Sequence, residues 1–315
     1  LARYKEIKPN LAANSGSLLL HHFFDRKYLP FAKATKRRSD LDEYTFGKHI
    51  RETFGNRELR SITSEEIDQW KLLQVQQGYK PATINKHSSV LRRILSLAKK
   101  WRHIESNPYD NVVIKDLDVG DFVQRFLTPD EISRLLSEAK RSKHPYIYHL
   151  IRLLILTGAR KSEVRLARWC DVNFSNRELF VPVSKNGRSR KVVLSTEAIR
   201  VLGEIRITSN ELGLTQGNRD WIITNPRTKK PYTCFHHAFD RVRTKAALPS
   251  IRIHDLRHTF ASLLVNNGAT IYEVQKLLGH HHISMTERYA HLFPNTLSDR
   301  VEIIAQAIDW PTSRD

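Results

Sequence analysis

The sequence predicts a mainly α-helical protein with a small antiparallel β-sheet. Apolar residues recur at helical spacing along most of the chain, between recognisable caps and stops. The period changes over residues 169–194, where short apolar runs flank an Asn-Gly pair. At 315 residues the chain is long enough for two domains.

The first half reads as helices. Residues around 16–28 and 38–53 carry aliphatic and aromatic residues at mixed helical spacing. Thr63-Ser64-Glu65-Glu66 fits a capping box, in which Thr63 and Glu66 satisfy each other's free amides. The helix it opens runs to about Gln77 and stops at Gly78. Pro81 suits the first turn of the next helix, where its missing N–H costs nothing. There Ile84, Leu91, Ile94, Leu95 and Ala98 form one apolar stripe, while Lys86, Arg92, Arg93 and Lys99 fall largely elsewhere. Such a basic outer surface suits a phosphate backbone or plain solvation equally well. Asn107-Pro108 ends the block. Residues 111–126, with Asp116, Asp118, Gly120 and Asp121, read as an interdomain linker.

Thr128-Pro129-Asp130-Glu131 then gives a strong helix start, followed by Ile132, Leu135, Leu136 and Ala139 at helical spacing. Another helix covers about 145–157 and stops at Gly158, and a short one covers 160–168. The sheet follows: Val172, the turn-like Ser175-Asn176, the run from Leu179 to Val183, and Val192-Val193-Leu194. Lys185-Asn186-Gly187-Arg188 sits between the last two runs, and Asn-Gly favours a type I′ hairpin turn because both central residues need positive φ. Helices resume from 195 to about 308.

Composition narrows the function. Lys and Arg number 52 against 33 Asp and Glu, a net charge of +19, which points to a polyanionic partner, nucleic acid before an anionic membrane. Residues 1–110 hold 21 basic and 12 acidic side chains and residues 111–315 hold 31 and 21, so the basicity is spread over both halves and is not confined to a tail. Two cysteines, Cys170 and Cys234, exclude a disulfide scaffold and a Cys-rich zinc module. No run of eighteen apolar residues is present. The first apolar cluster, Ser17 to Leu20, is broken by His21-His22, so a signal peptide is not expected and a cytoplasmic location is. The chain begins at Leu1 and its one methionine is Met285, which points to a processed or truncated product.

Four places can carry chemistry. In Thr157-Gly158-Ala159-Arg160, a guanidinium and backbone amides meet at a helix start, a phosphate-binding arrangement, with Glu163 one turn on to hold the arginine. Taken alone, a surface Arg–Glu pair is the better reading, because such i,i+3 pairs are common. Lys185 at the hairpin tip is either a solubilising charge or a proton donor reaching into a site. In His254-Asp255-Leu256-Arg257-His258, the helix is expected to bury Leu256, Phe260, Leu263 and Leu264 and to present His254 and Arg257 to a common space. Leu278-Gly279-His280 ends a helix capped by Thr270 and Glu273. Ser284 and Glu287 are expected to cap the next, where Met285, Tyr289 and Leu292 share a stripe that makes Tyr289 a plausible core residue. The consecutive His280, His281 and His282 do not converge on one ion from a regular element, so no metal site is expected.

Taken in order, Thr-Gly-Ala-Arg160 with Glu163, Lys185, His254-x-x-Arg257-His258, Leu-Gly-His280 and Tyr289 in Arg-Tyr-Ala-His resemble the tyrosine recombinases of the phage integrase family. The resemblance spans nearly the whole chain. It implies a leader over 1–13, left over from the linker to a missing arm-binding domain, a helical core-binding (DNA-binding) domain over 14–110, the linker over 111–126, and a mixed α/β catalytic domain over 127–315 with a C-terminal tail helix. It also implies the roles. Tyr289 attacks the scissile phosphate and forms a 3′-phosphotyrosyl link, and strand exchange passes through a Holliday junction. Arg160 and Arg257 clamp the non-bridging oxygens, Lys185 protonates the leaving 5′ oxygen, and His254 is general base or hydrogen-bond partner of Tyr289. His280 bonds a non-bridging oxygen and Glu163 supports Arg160. Lys86, Arg92, Arg93, Arg188 and Arg190 are candidate nucleic-acid contacts. No metal, ATP or other cofactor is implied.

The implied partners are double-stranded DNA at specific attachment or recombination sites, further copies of the chain in a tetramer on DNA, and accessory directionality or DNA-bending proteins. Val301, Ile304, Ala305 and Ile308 form the apolar face of a tail expected to pack on a neighbouring protomer. Location near the nucleoid follows. Type IB topoisomerase-like strand cleavage, and a DNA-binding regulator with an idle site, are the competing readings.

Overall fold

The computed structural model describes residues 18–36, 38–120, 125–182, 189–214, 217 and 219–292. The expectations for the 1–13 leader, Lys185, Arg188 and the tail apolar face lie outside the described residues. The chain divides into two compact units, Leu1–Phe122 and Val123–Asp315.

In the first unit, α1 (Leu20–Phe23) and α2 (Leu29–Thr35) flank a π-helical turn, Phe24–Tyr28. The pattern repeats with α3 (Ser39–Thr45), a π turn over Phe46–Ile50, and α4 (Arg51–Phe54). A π turn interrupts the 3.6-residue period, which accounts for the mixed spacing in the sequence. The two turns meet face to face: the Phe24 and Phe46 rings stack with centroids 3.7 Å apart and planes 4° from parallel.

Helix α5 (Ser64–Gln76) starts in the expected capping box, with the Thr63 amide donating to Glu66 at 2.9 Å and the Glu66 amide to Thr63 at 3.2 Å. Helix α6 (Pro81–Lys100) buries Ile84, Leu91, Ile94, Leu95 and Ala98, the stripe read from spacing.

The N-terminal part of the expected linker is not a linker. Tyr109 and Val112 belong to the core of the first unit. Asp68 of α5 accepts the amides of Val113 and Ile114 at 2.9 and 3.2 Å, and Lys71 donates to the Ile114 carbonyl. Asn85 of α6 brackets Leu117 through both its amide and its carbonyl, at 2.9 and 2.8 Å. Polar side chains on two helices thus do for this strap what apolar periodicity does elsewhere.

The second unit opens with α7 (Pro129–Lys140), again capping-boxed, by Thr128 and Glu131. Helix α8 (Ile147–Thr157) is buried on nearly every side and ends at Gly158 in the left-handed conformation. Helix α9 (Lys161–Arg165) is a single short segment, ending earlier than its sequence suggests. The sheet is a three-stranded antiparallel meander, β1 (Val172–Asn173), β2 (Glu178–Val181) and β3 (Arg190–Val193). Val181 pairs with Arg190 and Leu179 with Val192. A regular two-residue turn at Asn186-Gly187 would instead set Val181 opposite Val192, so the register differs from the simplest hairpin reading.

Helix α10 (Thr196–Glu211) follows, but helices do not resume without interruption. Between it and α11 (His236–Lys245) the described residues form turns and isolated bridges, Arg168 with Trp221 and Thr224 with Pro231, in a stretch punctuated by glycine and proline. Helices α12 (Asp255–Asn266), α13 (Ile271–Leu278) and α14 (Ser284–Glu287) complete the described fold. Helix α14 is one turn long. Ile283 precedes it and Ser284 lies inside it, so the expected Ser284–Glu287 cap does not form. Among the described residues no helix is long and apolar enough to cross a membrane.

Candidate active site

The sequence places Gly158 between α8 and Arg160, and the structure gives two reasons for glycine there. Its φ is +58°, and an added Cβ would lie 2.2 Å from the Phe260 ring. The close approach brings α12 against the end of α8, where the Gly158 carbonyl accepts from Arg257 Nη1 at 2.6 Å. Arg257 Nη2 donates to the Leu278 carbonyl at 2.7 Å. The guanidinium is 3% exposed and lies between the C-terminal ends of α8 and α13, whose free carbonyls carry partial negative charge. Burial, then the positive charges of Arg160 and Arg190, lowers its pKa to about 9, so it stays cationic at neutral pH.

Arg160 caps α9. Its Nη1 donates to Glu163 Oε1 at 2.8 Å, and its backbone amide donates to Glu163 Oε2 at 2.7 Å. The carboxylate therefore occupies the Arg160 amide that the sequence offered to a phosphate; the guanidinium is what the site presents. Glu163 has a second cation. Arg190 Nη2 and Nε donate to it at 2.7 and 3.2 Å, and Arg190 Nη1 donates to the Leu277 carbonyl at 3.2 Å. Burial alone would raise the Glu163 carboxyl, but Arg190 and the Arg160 amide and guanidinium override it and hold it at about 2. Arg190 was expected on a nucleic-acid surface. Its side chain is only 10% exposed and ties β3 to α9 and α13. The packing is close enough that a Cβ on Gly279 would lie 2.7 Å from Arg190 Cδ, and Gly279 itself has φ +65°. The glycine of Leu-Gly-His is thus required twice over.

Past Gly279, His280 Nδ1 bonds the buried Thr286 hydroxyl at 2.8 Å. Burial, followed by Arg257, Arg160, Arg288 and Arg190, pushes its imidazole down to about 3. Tyr289 is 2% exposed and packs with Ala261, Val265, Val274 and Leu278. Burial raises its phenol pKa, partly countered by Arg257 and Arg288. Its hydroxyl lies 2.7 Å from His258 Nδ1. The partner expected for it was His254. That residue is exposed at the start of α12, with its ring 5.2 Å from that of His258. Helix α12 is also not two-faced as its spacing suggested. Residues 255–259 are all buried while Leu263 and Leu264 are half-buried, because α8 and α13 enclose its first turns.

The structure therefore brings Arg160, Glu163, His254, Arg257, His280 and Tyr289 into one electrostatic neighbourhood, and adds His258, Arg190 and Thr286. His258 stood in the motif but only as a neighbour of His254; its four-residue offset put both on one helix face. In the first unit, Lys86 is exposed, Arg92 donates to the Lys115 carbonyl at 3.2 Å, and Arg93 pairs with the buried Asp42 at 3.2 Å while half exposed. No group of three His, Cys, Asp or Glu that could hold a metal ion occurs among the described residues.

The site thus holds a phenol hydrogen-bonded to an imidazole within the field of neighbouring guanidiniums. Residues 125–296 match the phage integrase family. The integrase of Escherichia phage 186 is 28% identical over 290 residues, covering 91% of this chain and 74% of its own. The tyrosine recombinase XerC of Roseiflexus castenholzii is 25% identical over 279 residues, 87% of each chain. Among solved structures, the Tn1549 transposon integrase in complex with a circular intermediate DNA has the same fold, with a TM-score of 0.76 at 21% identity, over 93% of this chain and all of that one. A lambda integrase dimer bound to a core site gives 0.69 at 24% identity, over 86% and 95%. The chain belongs to the phage integrase family, the tyrosine recombinases, which are enzymes of DNA recombination.

Proposed function

We propose that this protein cuts and rejoins duplex DNA at specific sites through a 3′-phosphotyrosyl link on Tyr289, with exchange by way of a Holliday junction. The observation that carries the reading is the position of Arg257. A buried guanidinium held by two neutral carbonyls keeps its positive charge beside the phenol. Arg160 and Arg257 clamp the non-bridging oxygens and stabilise the five-coordinate transition state. Lys185 protonates the departing 5′ oxygen. His280, neutral and fixed by Thr286, bonds a non-bridging oxygen, and the exposed His254 meets the phosphate at the mouth of the site. The cations supply the charge stabilisation and the enzyme link conserves the bond energy, so neither metal nor ATP is required.

The first unit is the core-binding domain in this reading and the second the catalytic domain. Lambda integrase has been seen as a tetramer bound to a Holliday junction, and we extend that assembly to this chain, with the tail around Val301 to Ile308 docking on a neighbouring copy. Accessory directionality or DNA-bending proteins complete the partner set.

The test is covalent trapping on fragments of the source genome. The wild-type chain forms an SDS-stable adduct in EDTA without nucleotide, linked through the 3′ phosphate of the DNA, and sequencing of trapped fragments recovers the site. Tyr289→Phe binds that site and forms no adduct. An undiminished adduct on Tyr289→Phe overturns the assignment.

A further inference from the structure

Tyr289 is held by a residue to which the roles above give nothing to do. His258 is 4% exposed, one helical turn beyond His254 on α12, and its Nδ1 lies 2.7 Å from the Tyr289 hydroxyl. The core residues packed with it, Ala261, Val265, Val274 and Leu278, are apolar and cannot fix the direction of an O–H. The hydrogen bond to His258 therefore sets where the oxygen sits. Rigid packing of α12 between α8 and α13 sets where His258 sits in turn.

We propose that His258 is a further catalytic residue, which orients the Tyr289 hydroxyl and accepts its proton as it attacks phosphorus. The inference rests on Tyr289 being the nucleophile. In the step, the Oη–P bond forms and the P–O5′ bond breaks. The Oη proton passes to His258 Nδ1, and O5′ takes a proton from Lys185. In the reverse step the attacking 5′ hydroxyl returns its proton to Lys185, and His258 gives its own back to Oη. Charge and protons balance in both directions without another reactant.

The surroundings fit an acceptor. With the hydroxyl donating, Nδ1 carries no proton in the resting state. Burial, His254, Arg288 and Arg252 disfavour the imidazolium and Asp255 favours it, leaving His258 at about 4. A scissile phosphate brings negative charge against the same cluster, and an anion nearby favours a protonated imidazole. Proton acceptance is thus coupled to the arrival of substrate, and the phenol is not ionised before there is something to attack.

The test uses the full chain and the DNA site recovered by trapping. His258→Asn keeps a hydrogen-bonding atom near the Nδ1 position but has no basic nitrogen, and His258→Phe removes both. Expected results are unchanged DNA affinity and melting for His258→Asn, with adduct formation slowed about 10²-fold or more, the usual range for loss of a general base. His258→Phe is expected to be slower still. At saturating DNA the wild-type rate falls as pH is lowered through the imidazole range, and His258→Asn lacks that acid limb. A wild-type rate in His258→Asn overturns the proposal, as does a slowed variant that retains the limb. If His258→Phe does not fold, His258→Asn decides alone. Tyr289→Phe run in parallel keeps the outcomes separate: an adduct there overturns the nucleophile itself, while its loss together with a fully active His258→Asn overturns only the role of His258.

Discussion

Each unit buries a cation almost completely, and the two are held in opposite ways. Lys71 of the first unit is 1% exposed. It pairs with Asp68 at 3.5 Å, donates to the Ile114 carbonyl and lies 5.3 Å from the Tyr109 ring centre. Its charge is met by a carboxylate, which also fastens Val113 and Ile114. Arg257 of the second unit is 3% exposed and bonded to two neutral carbonyls. Nearby, Arg160 and Arg190 share one carboxylate, Glu163. Three guanidiniums against one carboxylate leave an uncancelled excess of positive charge. A buried cation with a paired carboxylate is a fastener, whereas one solvated by backbone dipoles keeps its field for a ligand. Paying desolvation without neutralisation makes sense only where an anion arrives later.

The contrast can be broken most forcefully at Arg257. Arg257→Gln is expected to cut covalent adduct formation by about 10²–10³-fold, the range for removal of one transition-state donor. DNA binding in a filter or gel assay should change little, since affinity is spread over many cations. Equal losses in binding and cleavage would mean that Arg257 is a fastener after all. Lys71→Met should do the reverse. It should lower unfolding free energy by about 3 kcal/mol, as for a buried pair that loses one partner, and leave the adduct yield per folded molecule intact. Urea denaturation paired with trapping checks both.

Glu163 sharpens the comparison through pH. Its folded pKa, about 2, lies below its ordinary value of 4.5. The stabilisation is therefore fully present above pH 4.5 and is lost as pH falls toward 2. Glu163→Gln should be less stable than wild type by about 3 kcal/mol at neutral pH. The gap should close on acidification through that window, and a gap independent of pH would rule out the ion pairs as its cause. The smallest effect belongs to a feature with no charge asymmetry. Thr63→Ala removes one half of the α5 capping box and should cost about 1 kcal/mol, with no change in cleavage.

What could be read from the sequence follows the range of the interactions involved. The stripe on α6, the capping boxes at Thr63, Thr128 and Thr270, and the stop at Gly158 depend on neighbours within a turn or two, and all are legible. The strap over 112–117 is held by side chains of Asp68, Lys71 and Asn85, whose partners are backbone groups tens of residues away; no periodicity announces it. The π turns announced themselves only as blurred spacing. In the site, residue types and their order pointed to Arg160, Arg257, His280 and Tyr289. Which histidine meets the phenol depends on helix phase, and helix phase at the start of α12 is set by α8 and α13. The inward course of Arg190 depends on the strand register, which the Asn-Gly pair suggested two residues away from where it falls.

One feature of the arginine frame bears on its inheritance. Both partners of Arg257 are peptide carbonyls, which every amino acid supplies. Replacing Leu278 by another residue leaves the acceptor in place, so substitution there can alter packing without unmaking the contact. Arg190 and Arg160 enjoy no such immunity, because a single change at Glu163 removes the ion pair of both. Divergence at position 278 should therefore be limited by the packing of the buried side chain and not by the charge clamp, to which its identity is silent. It should be checked at 158 and 279, where any side chain collides, and at 163, where two arginines depend on one carboxylate.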